Sequence, residues 1–168
     1  MTEMILCLAC NHENAPDSTE CARCSAPLQA GKTKEIATEL REEIFRRYLD
    51  QHEALQSGNI ALYLAGKGQA LTVPVEDRVM LGRRGTEGPQ PAVDLTDYHG
   101  SLLGVSRQHA VIERNADGYS ISDLDSTNGT WLNENKLAPQ SPRPLRSGDA
   151  LRLGDLILFV FFPDEHSP

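Results

Sequence analysis

Three short segments of this chain pair guanidinium, hydroxyl and amide side chains with tight-turn residues. They are Gly82-Arg83, Ser106-Arg107-Gln108-His109, and the run Asp123-Leu124-Asp125-Ser126-Thr127-Asn128-Gly129-Thr130-Trp131-Leu132-Asn133. On loops, such side chains suit the grip on a phosphate and the peptide backbone beside it. A planar guanidinium engages two oxygens at once, and hydroxyls and amides add directed hydrogen bonds. Asn128-Gly129 between apolar runs is also a strong tight-turn signal, because both central residues of such a turn need φ > 0. A bare hairpin would be satisfied by those two residues and would leave the other two segments without a purpose. Ser106 and His109 admit a catalytic reading too, as nucleophile and base. Gly104-Val105-Ser106 begins like a nucleophile elbow, but Gln108 stands where the second glycine is required, and no third group orients His109. His109 therefore reads better as scaffold than as catalyst.

A second set of reactive residues lies at the N-terminus. All four cysteines fall in the first 24 residues, as Cys7-x2-Cys10-x10-Cys21-x2-Cys24. Two C-x2-C knuckles at this separation resemble a small zinc ribbon, in which four thiolates close a tetrahedral structural site around Zn2+. The rival is a pair of disulfides in a secreted chain, and it weakens because no secretory signal is visible. Residues 1–30 hold few large apolar side chains and would hardly fold without such a staple. Ribbon knuckles often carry Gly after the second cysteine, and here Asn11 and Ser25 occupy those places. Asn tolerates left-handed backbone fairly well and Ser less readily. His12 reads as a bystander, since four cysteines already fill the shell.

The three loop segments, in this order, resemble the marks of the forkhead-associated (FHA) family of phosphothreonine-peptide readers: a Gly-Arg, a Ser-Arg-x-His, and a Ser-x-Asn-Gly-Thr that closes an acidic strand end. The resemblance covers roughly residues 60–163 and implies a two-sheet antiparallel β-sandwich with its site on loops at one end. It implies that Ser106, Arg107 and Thr127 meet the phosphate, that Arg83 contacts the phosphate or the peptide backbone, and that Asn128 holds the peptide main chain. Gly82, His109 and Gly129 are then structural supports of the site, His109 by hydrogen bonding beneath the loops. Arg84 is not part of the family motif and is expected to point away. Gly82, Gly129 and Trp131 are assigned to backbone geometry and core packing. The chain departs from the simplest family pattern between Pro91 and Val105, where residues 97–104 lengthen the loop before Ser106.

These motifs require elements to hold them. Residues 1–30 form the expected ribbon. From Thr33 to Gln56 strong helix formers dominate, with Ile36, Leu40, Ile44 and Tyr48 at four-residue intervals, so 31–59 reads as a helical linker. Glu42/Arg46 and Glu43/Arg47 are favourable i,i+4 pairs. The apolar stripe is expected to dock on the sandwich rather than to pair with a second copy. From Ile60 onward the pattern is of short β segments separated by Gly, Pro, Asn and Asp: Ile60–Leu64, Ala70–Val75, Val79–Gly82, His109–Arg114, Tyr119–Leu124, Thr130–Asn133, Ala150–Leu153 and Leu156–Phe162. Many short strands without helical interruption predict an all-β sandwich over 60–163. Gly154-Asp155 predicts a hairpin between the last two. Pro139, Pro142 and Pro144 mark a stiff connection, and 164–168 reads as a tail.

Composition narrows the function classes. The net charge of −8 is evenly shared, with six Lys/Arg against ten Asp/Glu in residues 1–59 and ten against fourteen in 60–168. Broad nucleic-acid affinity rests on clustered positive charge, so no nucleic-acid partner is expected. The longest late apolar run, Leu156–Phe162, is a buried strand rather than a membrane span, and a cytoplasmic location with no membrane contact is expected. The resemblance implies a non-enzymatic interaction module. Its partners would be phosphothreonine-containing proteins, with a Ser/Thr kinase among them. The alternative is a zinc-ribbon nucleic-acid or transcription-complex protein with an accessory sandwich, against which the acidic N-terminal half counts. A sandwich with its own core and no cysteine is expected to bind independently of the ribbon.

Overall fold

The computed structural model describes residues 4–7, 12–25, 28, 58–64 and 70–163. Residues 31–57 of the segment read as a helical linker and the tail lie outside the described residues, as does Cys10, whereas Asn59, the last residue of that segment, already belongs to a strand of the sandwich. At the N-terminus β1 (Ile5–Leu6) and β2 (Glu13–Asn14) form an antiparallel pair. The remaining strands are β3 (Asn59–Leu64), β4 (Ala70–Pro74), β5 (Arg78–Gly82), β6 (Val93–Asp94), β7 (Ala110–Asn115), β8 (Gly118–Asp123), β9 (Thr130–Leu132), β10 (Asn135–Lys136), β11 (Arg143–Leu145), β12 (Ala150–Leu153) and β13 (Leu156–Phe161), with a 3-10 turn at Thr96–Tyr98. Each of the eight strands predicted from sequence is present, with its ends within one residue of expectation.

They assemble as two sheets, one in the order β10-β9-β12-β13-β3-β4 and the other β11-β8-β7-β5-β6. Alternation along the strands builds the layer between them. Ile60, Leu62 and Leu64 of β3 meet Leu151 and Leu153 of β12, Leu158 and Val160 of β13, and Leu81, Ile112 and Ile121 of the facing sheet in one buried cluster. Each such side chain contributes about 1.5–3 kcal/mol by leaving water. Among the described residues no helix is long and apolar enough to cross a membrane.

Four details differ from the sequence expectation. The sandwich is not wholly antiparallel, because β6 runs parallel to β5 with Leu81 opposite Val93. The loop 83–92 carries the chain away and back, which a two-residue turn cannot do. The proline-bearing connection contains β11, where Pro144 is tolerated because β11 is the sheet edge. Asn128-Gly129 is not a two-residue hairpin but part of the crossover from β8 in one sheet to β9 in the other. Of that pair only Gly129 has positive φ, +86°. The tight hairpin lies four residues on, at Asn133 (φ +48°) and Glu134 (φ +71°), between β9 and β10. Trp131 is not in the layer between the sheets. Thr130 takes the inward position, so Trp131 faces out, half-buried, with the Arg152 guanidinium 3.6 Å from its ring centre. The predicted β12–β13 hairpin is present, with Leu153 opposite Leu156.

Candidate functional site

Three loops meet at one end of the sandwich: 83–85 after β5, 104–109 before β7, and 124–129 after β8. Steric fit sets the first contact. A Cβ on Gly82 would lie 2.0 Å from the Arg107 carbonyl oxygen, so only glycine lets β5 pass under the Ser106-Arg107 backbone. The Arg83 amide then donates to the Ser106 carbonyl at 3.1 Å, and its Nε donates to the Val105 carbonyl at 2.8 Å. With Nε tethered, both Nη groups have no partner among the described residues. Arg107 is exposed, its side chain lying beside Gly85.

Ser106 joins the loops. Its hydroxyl oxygen accepts the Thr127 amide at 3.1 Å, and its own proton has no acceptor among the described residues. Asn128 Nδ2 donates to the Gly104 carbonyl at 2.9 Å, which leaves Oδ1 for another donor. The five expected binding residues, Arg83, Ser106, Arg107, Thr127 and Asn128, thus occupy adjoining loops. Arg84 does point elsewhere. It pairs with Asp94, whose Oδ2 accepts its Nε at 2.8 Å. The Thr96 hydroxyl, joined by the Thr96 amide and by Arg84, holds the Asp94 carboxyl down at about 2 against the effect of its partial burial.

His109 lies fully buried beneath the loops. Its Nδ1 accepts the Ser106 amide at 2.9 Å, so Nε2 carries the proton and donates to the Gly129 carbonyl at 2.9 Å. Burial pushes its pKa below the ordinary value of 6.5, against the opposing Gly129 bond and nearby Asp123 carboxylate, and the ring is neutral. Both ring nitrogens are occupied by backbone, and neither reaches the Ser106 hydroxyl. A nucleophile–base pair is not assembled here.

The sequence reading left unassigned the residues that shape the 124–129 loop. Asp123 is buried, and its carboxylate accepts the Ser126 hydroxyl at 2.5 Å, the Ser126 amide at 3.1 Å and the Thr130 hydroxyl at 2.6 Å. Ser126 Oγ accepts the Gly129 amide at 3.0 Å. A buried carboxylate needs such a set of donors, and here the set closes the loop. The signal was an Asp followed at three and seven residues by hydroxyls, legible only once both ends are known to turn inward.

The cysteine site is compact. Cys7, Cys21 and Cys24 are buried, with their sulfurs all within 4.8 Å of one another and Cys7 and Cys24 Sγ 3.6 Å apart. Tetrahedral zinc with bonds of about 2.3 Å sets its sulfurs about 3.8 Å apart. Three sulfurs converging on one point is what a metal needs, whereas disulfides would bring them together only in pairs. The surroundings suit thiolates, since the Arg23 amide approaches Cys21 Sγ at 3.4 Å and Asn14 Nδ2 at 3.7 Å. Buried Asn14 also donates to the His12 carbonyl at 2.8 Å and accepts the Ala22 amide at 2.9 Å, tying the two knuckles together. Ser25 takes the left-handed conformation (φ +56°) at the place where a glycine was missed.

Residues 79–154 match the family model of the FHA domain. The sandwich is an FHA domain. Protein FraH of Nostoc sp. is 41% identical over 73 residues, covering 42% of this chain and 25% of FraH. The serine/threonine-protein kinase RAD53 of Saccharomyces cerevisiae is 36% identical over 83 residues, 46% of this chain and 10% of the kinase. The chain therefore spans a quarter or less of these relatives. Among solved structures, the FHA domain of an Arabidopsis thaliana hypothetical protein is 27% identical with a TM-score of 0.52, covering 66% of this chain and 91% of that one. The N-terminal FHA domain of yeast Rad53p, solved with a phosphothreonine peptide, shares the fold with a TM-score of 0.50 at 23% identity, over 64% of this chain and 95% of that one.

Proposed function

We propose that this FHA domain recognises phosphothreonine in partner proteins, within Ser/Thr-kinase signalling in the cytoplasm, and that it binds rather than catalyses. The observation that carries the reading is the set of uncommitted donors at the loop end: the Nη groups of Arg83, the Arg107 guanidinium and the Ser106 hydroxyl. A phosphate carries about −1.5 to −2 charge at neutral pH and three acceptor oxygens, which such a set matches. Asn128, fixed at one end by Gly104, would hold the peptide main chain. The phosphothreonine peptide in the Rad53p complex supports the assignment by analogy. The occupied ring of His109 supports binding over catalysis. The cysteine cluster, completed by Cys10, is proposed to hold one structural zinc.

The test is titration of the full chain with a phosphothreonine-peptide library, with the unphosphorylated library as control. Binding that disappears on dephosphorylation supports the reading. Equal binding to both libraries would sink it.

A further inference from the structure

Three successive carbonyls in the loop before Ser106 are held from three different directions. The Leu102 carbonyl accepts Arg23 Nη2 at 3.1 Å, the Leu103 carbonyl accepts the Asp155 amide at 2.8 Å, and the Gly104 carbonyl accepts Asn128 Nδ2 at 2.9 Å. The first partner belongs to the cysteine knuckle, the second to the β12–β13 hairpin and the third to the recognition loop. Arg23 binds two of these parties at once, because its Nη1 also pairs with the Asp155 carboxylate. It lies between Cys21 and Cys24, and its own amide faces Cys21 Sγ. The direction of its side chain is therefore set by the knuckle's backbone, which metal ligation would hold in place.

We infer that Arg23 is a positioning residue for phosphopeptide recognition, and that metal occupancy of the cysteine cluster tunes peptide affinity through it. The inference rests on the phosphothreonine reading above. With the knuckle closed, the guanidinium clamps Leu102 and Asp155 together. This presents the Gly104 carbonyl to Asn128 and so preorganises the side chain that holds the peptide main chain. With the metal gone, the knuckle no longer orients Arg23, and the 102–104 segment loses one of its three holds. Binding must then restore the order that the clamp had supplied, which lowers affinity without removing any contact to the peptide. The ribbon is in this way part of the reader rather than a separate passenger, contrary to the independence expected from sequence.

The test measures affinity of the full chain for a phosphothreonine peptide in a two-by-two design: wild type and Arg23→Ala, each zinc-loaded and chelator-stripped. Arg23→Ala in the loaded protein is expected to weaken binding about three- to fivefold, the scale of one part-exposed charged pair and its hydrogen bond. Stripping wild type should produce a similar loss. Stripping Arg23→Ala should add almost nothing, because both changes act through one contact. Amide exchange at Gly104 and Val105 should rise in each weakened form while the thermal transition of the sandwich stays in place, a local change that general destabilisation would not produce. Arg23→Lys, which can reach only one of its two partners at a time, should recover part of the loss. Additive losses, or no loss on stripping, would overturn the inference while leaving the phosphothreonine reading intact. Failure of loaded wild type to prefer the phosphorylated peptide would instead overturn that reading.

Discussion

The two adjacent arginines after β5 show how one residue's position separates a ligand contact from a structural pair. Arg83 keeps its Nη groups clear while its Nε is tied to Val105, and Arg84 spends its charge on Asp94. Arg83→Ala is expected to cost about 2–4 kcal/mol of phosphopeptide binding, because charge-assisted bonds desolvated in the complex are lost. Arg84→Ala should cost little, and calorimetry on both variants separates them. His109 makes a pH prediction. Its folded pKa lies below 6.5, so between the two values the unfolded chain binds more protons than the native one. Its contribution is complete above 6.5 and is lost as pH falls through the depressed folded value. Thermal unfolding between pH 8 and pH 5 should show stability falling below pH 6.5, and a His109→Gln variant should flatten that part of the profile.

Among the elements, turns and sheet faces make the testable statements. Ser25 sits in a left-handed conformation that favours glycine, and Ser25→Gly should stabilise the knuckle by about 0.5 kcal/mol once glycine's extra chain entropy is set against the relieved strain. A higher chelator concentration needed to strip the metal would register it. The outer face of the six-stranded sheet holds a second apolar cluster. Ala61, Tyr63, Phe159 and Phe161 point away from the facing sheet, yet none is more than 8% exposed. A further layer packed on this face would account for their burial. Residues 33–56 lead into β3 on this same sheet, and their Ile36-Leu40-Ile44-Tyr48 stripe is expected to form that layer. Leu40→Asp should then give a less stable monomer by sedimentation and thermal unfolding. A dimer that dissociates into well-folded monomers would assign the face to a second copy instead.

For the whole molecule, the cysteine module and the FHA sandwich adjoin but draw on different sources of stability. The sandwich is built on a large layer of buried Leu, Ile and Val, and Cys7, Cys21 and Cys24 join that cluster at its margin. There the few apolar residues of the N-terminal segment make a metal staple the expected source of its stability. Trp131, the sole tryptophan, lies in β9 and reports on the sandwich. Cys24→Ser should release the metal yet leave the Trp131-detected transition in place, its shift well under the roughly 4–8 °C that about 1 kcal/mol produces in a domain of this size. Collapse of that transition would show that the sandwich cannot stand without the ribbon.

The sequence by itself determined whatever depends on neighbours along the chain. Eight strands were legible because alternation and turn residues are local signals, and so were the three loop motifs and the knuckle spacing. Which strand pairs with which, and which face each residue takes, depends on partners distant in sequence. This is why the parallel β6, the edge strand through Pro144 and the sheet-crossing role of Asn128-Gly129 were not read from it. The same holds at the site. Arg83, Ser106 and Thr127 could be named from their motifs. That Asp123 closes the recognition loop with Ser126 and Thr130, and that Arg23 reaches Asp155 across 132 positions, arises only when two sheets and a knuckle are packed together. Side-chain type and spacing are properties of the chain, whereas the direction in which a buried carboxylate or a long guanidinium finds its partner is a property of the packed fold.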